Sequence, residues 1–119
     1  MAKDRLDVRL DPRVSTRVRV TVFGDPPGQR EIAMTTRDLS AGGALCDSPH
    51  PLPLGRPVRM RLDLADDSGA PHPVVLKAIV LRVEGESPHV IAFHFVEVPA
   101  RLLELIRRFV LSTLKRSGG

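Results

Sequence analysis

Val58-Arg59-Met60-Arg61-Leu62-Asp63-Leu64 alternates apolar and charged side chains at every step. Successive side chains of a β-strand point to opposite faces, so the alternation predicts a strand with one face in a core and the other in water. The same period of two holds upstream, where Val14, Val18, Val20 and Val22 share one face and Ser15, Arg17, Arg19 and Thr21 the other. Gly24-Asp25-Pro26-Pro27-Gly28 is a turn cluster that ends this first strand. A second strand is expected from about Glu31 to Arg37, with Ile32 and Met34 inward, and another begins at Ala44-Leu45-Cys46.

Downstream, the proline-rich stretch from Pro49 to Gly55 should leave the sheet, because proline cannot donate to a central ladder. Asp66-Asp67-Ser68-Gly69 reads as a hairpin loop. Val74 to Val83 is apolar at nearly every position and long for a strand, which predicts a bend of the kind barrel strands make. Glu84 to Pro88 is a turn, and Val90 to Val98 should pair back across it. Pro99 suits the first turn of a helix, where its missing N–H costs nothing. From there Leu102, Leu103, Leu105, Ile106, Phe109, Val110 and Leu114 make an apolar stripe with Arg101, Glu104, Arg107, Arg108 and Lys115 opposite. Short strands followed by one terminal helix predict a mainly β protein, an antiparallel barrel with a helix over its end or side. Residues 1–119 are expected to form a single domain, with an N-terminal arm at 1–12, the barrel at 13–98 and the helix at 99–116.

A chain of 119 residues can bury one core and not two. No apolar run approaches the roughly 20 residues that span a bilayer, and Met1-Ala2-Lys3-Asp4-Arg5 lacks the apolar core of a signal peptide, so no membrane association and a cytoplasmic location are expected. Cys46 is the single cysteine, which excludes a disulfide framework or a thiolate cluster within one chain and reads as a small buried strand residue. His50, His72, His89 and His94 lack metal-ligand spacing, and no cofactor is expected. The net charge of +4 raises nucleic acid as a partner class, yet without Trp or Tyr and with four Phe a platform for stacking successive bases is hard to build. An arginine plane can still stack on a single base.

Thr36-Arg37-Asp38-Leu39-Ser40-Ala41-Gly42-Gly43 concentrates a carboxylate, a hydroxyl and bare backbone at the end of the second predicted strand. A carboxylate can accept the paired donors of guanine's Watson–Crick edge, while a phosphate or a Hoogsteen edge calls for bidentate cationic donors. Arg5, Arg9, Arg13 and Arg17 recur every four residues ahead of that second strand and can supply them. Bland readings stand beside these. Asp38 and Ser40 can be turn residues that bond their own backbone, Gly42 and Gly43 can serve a bulge, and the arginine run can be a solvated face.

Arg9-Leu10-Asp11-Pro12-Arg13 followed by Asp38-Leu39-Ser40-Ala41-Gly42-Gly43 resembles the RxxxR and (D/N)xSxxG pair of PilZ domains, bacterial receptors for cyclic di-GMP. Arg13-Val14-Ser15-Thr16-Arg17 also satisfies RxxxR; Arg9 with Arg13 is preferred because Arg13 stands directly before an apolar strand start, and Arg17 is the alternative. The resemblance implies a six-stranded antiparallel PilZ-type β-barrel with a C-terminal α-helix. It also implies a cyclic di-GMP site in which Arg9 and Arg13 contact phosphates and guanine edges while Asp38 and Ser40 hold a base. Gly43, with Gly42, would keep the turn low beneath the ligand. The N-terminal arm would order over the nucleotide and change a surface read by an unknown downstream partner, in a monomer or a homodimer. No enzyme activity is expected, since Ser40 has no histidine or lysine near it in sequence to act as its base. Two competing readings are a PilZ-like adaptor that works through protein contacts without nucleotide, and a basic nucleic-acid-binding barrel.

Overall fold

The computed structural model describes residues 11–24 and 30–118. Within these residues seven strands and one helix follow in the order β1 (Arg13–Ser15), β2 (Arg19–Val22), β3 (Ile32–Ser40), β4 (Gly43–Ser48), β5 (Pro57–Ala65), β6 (Pro71–Glu84), β7 (His89–Val96) and α1 (Ala100–Gly118). Every pairing is antiparallel. β2, β3, β4, β7, β6 and β5 pair in turn, and β5 pairs with β2, so the sheet closes on itself as a six-stranded barrel. Closure removes most of the unpaired edge that an open antiparallel sheet would expose.

The seventh strand is a piece of the first. β1 and β2 both run along the same side of β3, Val14 opposite Leu39 and Val20 opposite Met34, with Thr16, Arg17 and Val18 between them outside the ladder. Period two predicted one continuous strand from Val14 to Val22, and the interruption is a correction to it. The alternation itself survives the break, since Val14, Val18, Val20 and Val22 are all buried. Thr21, expected on the open face, is also buried, because the Arg61 side chain opposite reaches its hydroxyl.

The core is made by the inward residues of the alternation, with Met60, Leu62 and Leu64 of β5 meeting Val74, Leu76 and Ala78 of β6. The irregularity expected in β6 is a register shift with β7 between Val80 and Arg82: Leu81 and Arg82 both face outward, and Val83 packs against the core. Pro71 and Pro73 sit in β6 where it has only β5 beside it, since β7 joins at Lys77, so their missing N–H groups leave no gap in a two-sided ladder. The helix starts where expected, the Pro99 carbonyl accepting from the Leu102 and Leu103 amides. Its Ile106 and Val110, one turn apart, are fully buried in the barrel core, each burial contributing about 1.5–3 kcal/mol. Arg107 on the same helix pairs with Asp11 at 3.0 Å and ties the start of β1 to α1.

Candidate functional site at the β3–β4 turn

Strict alternation would send either Arg37 or Asp38 into the core, and a bulge prevents it. Thr36 lies opposite Cys46 and Asp38 opposite Leu45, so β3 advances two residues while β4 advances one. Thr36 and Leu39 are fully buried, and the two residues between them both face outward. Bulges re-aim side chains in this way. Asp38 therefore belongs to the body of β3, which continues to Ser40, rather than to the loop after a strand that ends at Arg37.

The interruption between β1 and β2 sits across from this bulge and is held by one side chain. Thr36 Oγ1 accepts the Val18 amide at 2.8 Å and donates to the Thr16 carbonyl. The Thr36 amide donates to the Val18 carbonyl, and the Thr16 amide to the Arg37 carbonyl. Backbone groups that left the ladder are thus satisfied, and Arg17 emerges into solvent between two anchored residues.

Two carboxylates on the outer face gather three arginines. Arg13 Nη1 donates to Asp38 Oδ1 at 2.9 Å, reaching diagonally from its place opposite Ser40. Arg17 Nη1 donates to Asp47 Oδ2 at 2.7 Å, and Arg37 Nε donates to Asp47 Oδ1 at 2.6 Å. The hydrogen bond from Arg17 is the chief reason that the Asp47 carboxyl titrates below the usual value; some burial opposes it, and the hydrogen bond from Arg37 and both arginine charges add to it. Three cations and two anions leave this patch with a net positive charge, which suits an anionic ligand.

The turn itself is tight. Ser40 is buried, with Oγ accepting the Gly42 amide at 3.2 Å and lying 3.4 Å from the Gly43 carbonyl. Its hydroxyl shapes the turn. Gly43 faces His94 on β7, and a Cβ there would collide with the Phe93 carbonyl oxygen, whereas one on Gly42 would meet only Ser40 Oγ at 3.9 Å. The demand for glycine at 43 is therefore met by strand packing alone.

Of the residues expected from sequence, Arg13, Arg17, Asp38, Ser40, Gly42 and Gly43 cluster at the β1–β3–β4 junction, and Arg9 lies outside the described residues, as do residues 1–10 of the arm. Arg37 and Asp47 join the cluster without having been anticipated; the bulge that exposes the first depends on a partner strand. Beneath them Cys46 is fully buried, its thiol pushed up to about 12 by burial first and then by the Asp47 and Asp38 charges. A cleft of about 980 Å³ lies elsewhere, with Phe23, Arg59, Lys77 and Glu97 among its lining residues, and none of Arg13, Arg17, Asp38 or Gly43 borders it. Among the described residues no group of His, Cys, Asp and Glu is placed to hold a metal ion, and no helix is long and apolar enough to cross a membrane.

Comparison with known proteins bears on this geometry. The family model described as the PilZ domain matches residues 7–112. No curated protein sequence matches the chain. Among solved structures, the inhibitor of motility MotI/DgrA of Bacillus subtilis aligns with a TM-score of 0.76 at 15% identity, covering 89% of this chain and 50% of that one. The PilZ domain of YcgR from Escherichia coli, solved with c-di-GMP, aligns at 0.71 and 15% identity, covering 91% of this chain and 92% of that one. The PilZ domain of CeSA from a cellulose-synthesizing bacterium aligns at 0.62 and 22% identity, over 86% and 97%. The chain thus spans about half the length of MotI/DgrA and nearly all of the isolated domains.

Proposed function

This chain belongs to the PilZ domain family, and from that premise we propose that it is a cyclic di-GMP receptor whose site is the outer face around the β3–β4 turn. The observation that carries the proposal is the Arg13–Asp38 contact at 2.9 Å, which joins the arginine half of the motif to the carboxylate half. Arg13 engages a single carboxylate oxygen and keeps most of its guanidinium fork for phosphate or a guanine Hoogsteen edge, while Asp38 can accept the donors of a guanine Watson–Crick edge. Arg9 remains the other arginine of the pair, and Arg17, four residues on from Arg13 and beside the same bulge, is the alternative. Arg9 would add its guanidinium from the N-terminal side, with the segment 1–12 ordering over the nucleotide and altering a surface read by a partner protein. Ser40 and Gly42 act through the shape of the turn. The role is that of a receptor, with no bond made or broken.

Isothermal titration calorimetry with cyclic di-GMP, and with the linear dinucleotide as control, tests the proposal. Wild-type protein should bind the cyclic form in preference. Losing one charge-assisted arginine contact costs about 1.5–3 kcal/mol, so Arg13→Ala should weaken binding by about ten- to hundredfold. Arg59→Ala, on β5 opposite Lys77, should not. Equal affinity of the two variants would overturn the assignment. Proteolysis within residues 1–12 should slow when the nucleotide is added.

A further inference from the structure

Arg37 is neither half of the motif, yet the bulge in β3 turns it outward beside Asp38, and Asp47 on β4 holds it together with Arg17. We infer that Arg37 is a further phosphate contact of the nucleotide site and that Asp47 is the positioning residue that aims both arginines. The inference rests on the cyclic di-GMP reading above and extends it to residues that the motif leaves out.

Three observations carry it. First, the two arginines take opposite oxygens of one carboxylate, Arg17 Nη1 on Oδ2 and Arg37 Nε on Oδ1, so each spends one donor and keeps the rest of its fork. Second, exposure is graded in the sense a clamp requires: the Asp47 side chain is 17% exposed, those of Arg17 and Arg37 65% and 46%. The carboxylate lies underneath and the guanidinium groups face out. Third, both arginines emerge from irregular backbone, the β1–β2 interruption and the β3 bulge, and Thr36 links the two through Thr16 and Val18.

Each of these features has an energetic sense. An unrestrained arginine loses much rotamer freedom on gripping a phosphate, and one already held by a buried-side carboxylate loses less. Arg17 and Arg37 add two forks to the one that Arg13 presents at Asp38, and a dinucleotide with two phosphates can use them. A mere pair of surface ion bridges would leave ligand affinity untouched, which makes the two roles separable.

Calorimetry on the full chain with cyclic di-GMP decides. Arg37→Ala should weaken binding by about ten- to hundredfold with the thermal midpoint little changed. Arg37→Gln, similar in reach and uncharged, should do the same if alanine perturbs the bulge. Asp47→Asn should also weaken binding, and by a smaller factor in the Arg37→Ala background than in the wild type, because part of its effect runs through Arg37. Binding by Arg37→Ala and Arg37→Gln within twofold of wild type would sink the inference and leave the site standing. An Asp47→Asn loss of the same size with and without Arg37 would sink the positioning role. Failure of the wild-type protein to bind would remove the site and the inference with it.

Discussion

Gly43 and Phe93 are closed up against each other across β4 and β7, so that a Cβ on the glycine would overlap the phenylalanine carbonyl oxygen. Backbone cannot move aside as a flexible side chain can. Gly43→Ala should therefore destabilise the barrel by about 1–3 kcal/mol, the usual cost of forcing volume into a packed site. Gly42→Ala, with ordinary contact distances around it, should cost far less. Urea unfolding of both variants without nucleotide checks this, and equal midpoints would show that β7 can give way.

Thr36 gives a second test, in which stability and binding should fall together. Its hydroxyl serves the Val18 amide and the Thr16 carbonyl, and its side chain is fully buried. Thr36→Val keeps the shape and strands both backbone groups, at a cost of about 1–3 kcal/mol. The stretch that carries Arg17 would lose its anchor, so cyclic di-GMP affinity should drop as well. A variant less stable yet with unchanged affinity would show that Arg17 does not depend on this anchor.

What the sequence discloses and what it conceals divide along the reach of the interactions. Val58 to Leu64 announces a strand because alternation is a property of one segment, and the helical stripe from Leu102 to Leu114 is legible for the same reason. The break at Thr16–Val18 is not, because it is stabilised by a hydroxyl from β3, 18 residues away in the case of Val18. Arg37 is hidden likewise: its outward aim follows from a count of residues on two paired strands, and Asp47 matters only once β4 has brought it beside β3. Arg13 and Asp38 could be assigned to one site in advance through the family motif, although 25 residues separate them and their direct contact was not foreseen. Ser40 was legible as a polar residue of the turn, and its burial was not, since burial depends on how the paired strands pack around it.

Cys46 supplies a clock for opening of the barrel. Burial and the neighbouring carboxylates push its thiol up to about 12, and the thiolate is the form that reacts. A disulfide reagent at mildly alkaline pH should leave native protein unlabelled and modify it at the rate of global unfolding, accelerating with denaturant in parallel with loss of the β-sheet signal. Rapid labelling under native conditions would mean that β4 frays independently of the rest of the sheet.

The acid limb of stability should bear the signature of Asp47. Its carboxyl is held below the usual value of 3.8, by the Arg17 hydrogen bond first, against some burial and with help from Arg37. A carboxyl lowered in the folded state stabilises that state above its unfolded value, and the contribution drains away as pH falls through the lower folded value. Wild-type protein should therefore lose stability below about pH 4, as protonation releases Arg17 and Arg37. Asp47→Asn has no charge to lose at this position, so it should start less stable at neutral pH and show a shallower acid limb. Because both guanidinium groups are exposed, the difference should be modest and should shrink in high salt. Urea midpoints for the two proteins at about pH 7, 5 and 3 would measure it. Parallel curves would show that the arginines gain nothing from this carboxylate in the folded state, and their aim would then have to come from the backbone alone.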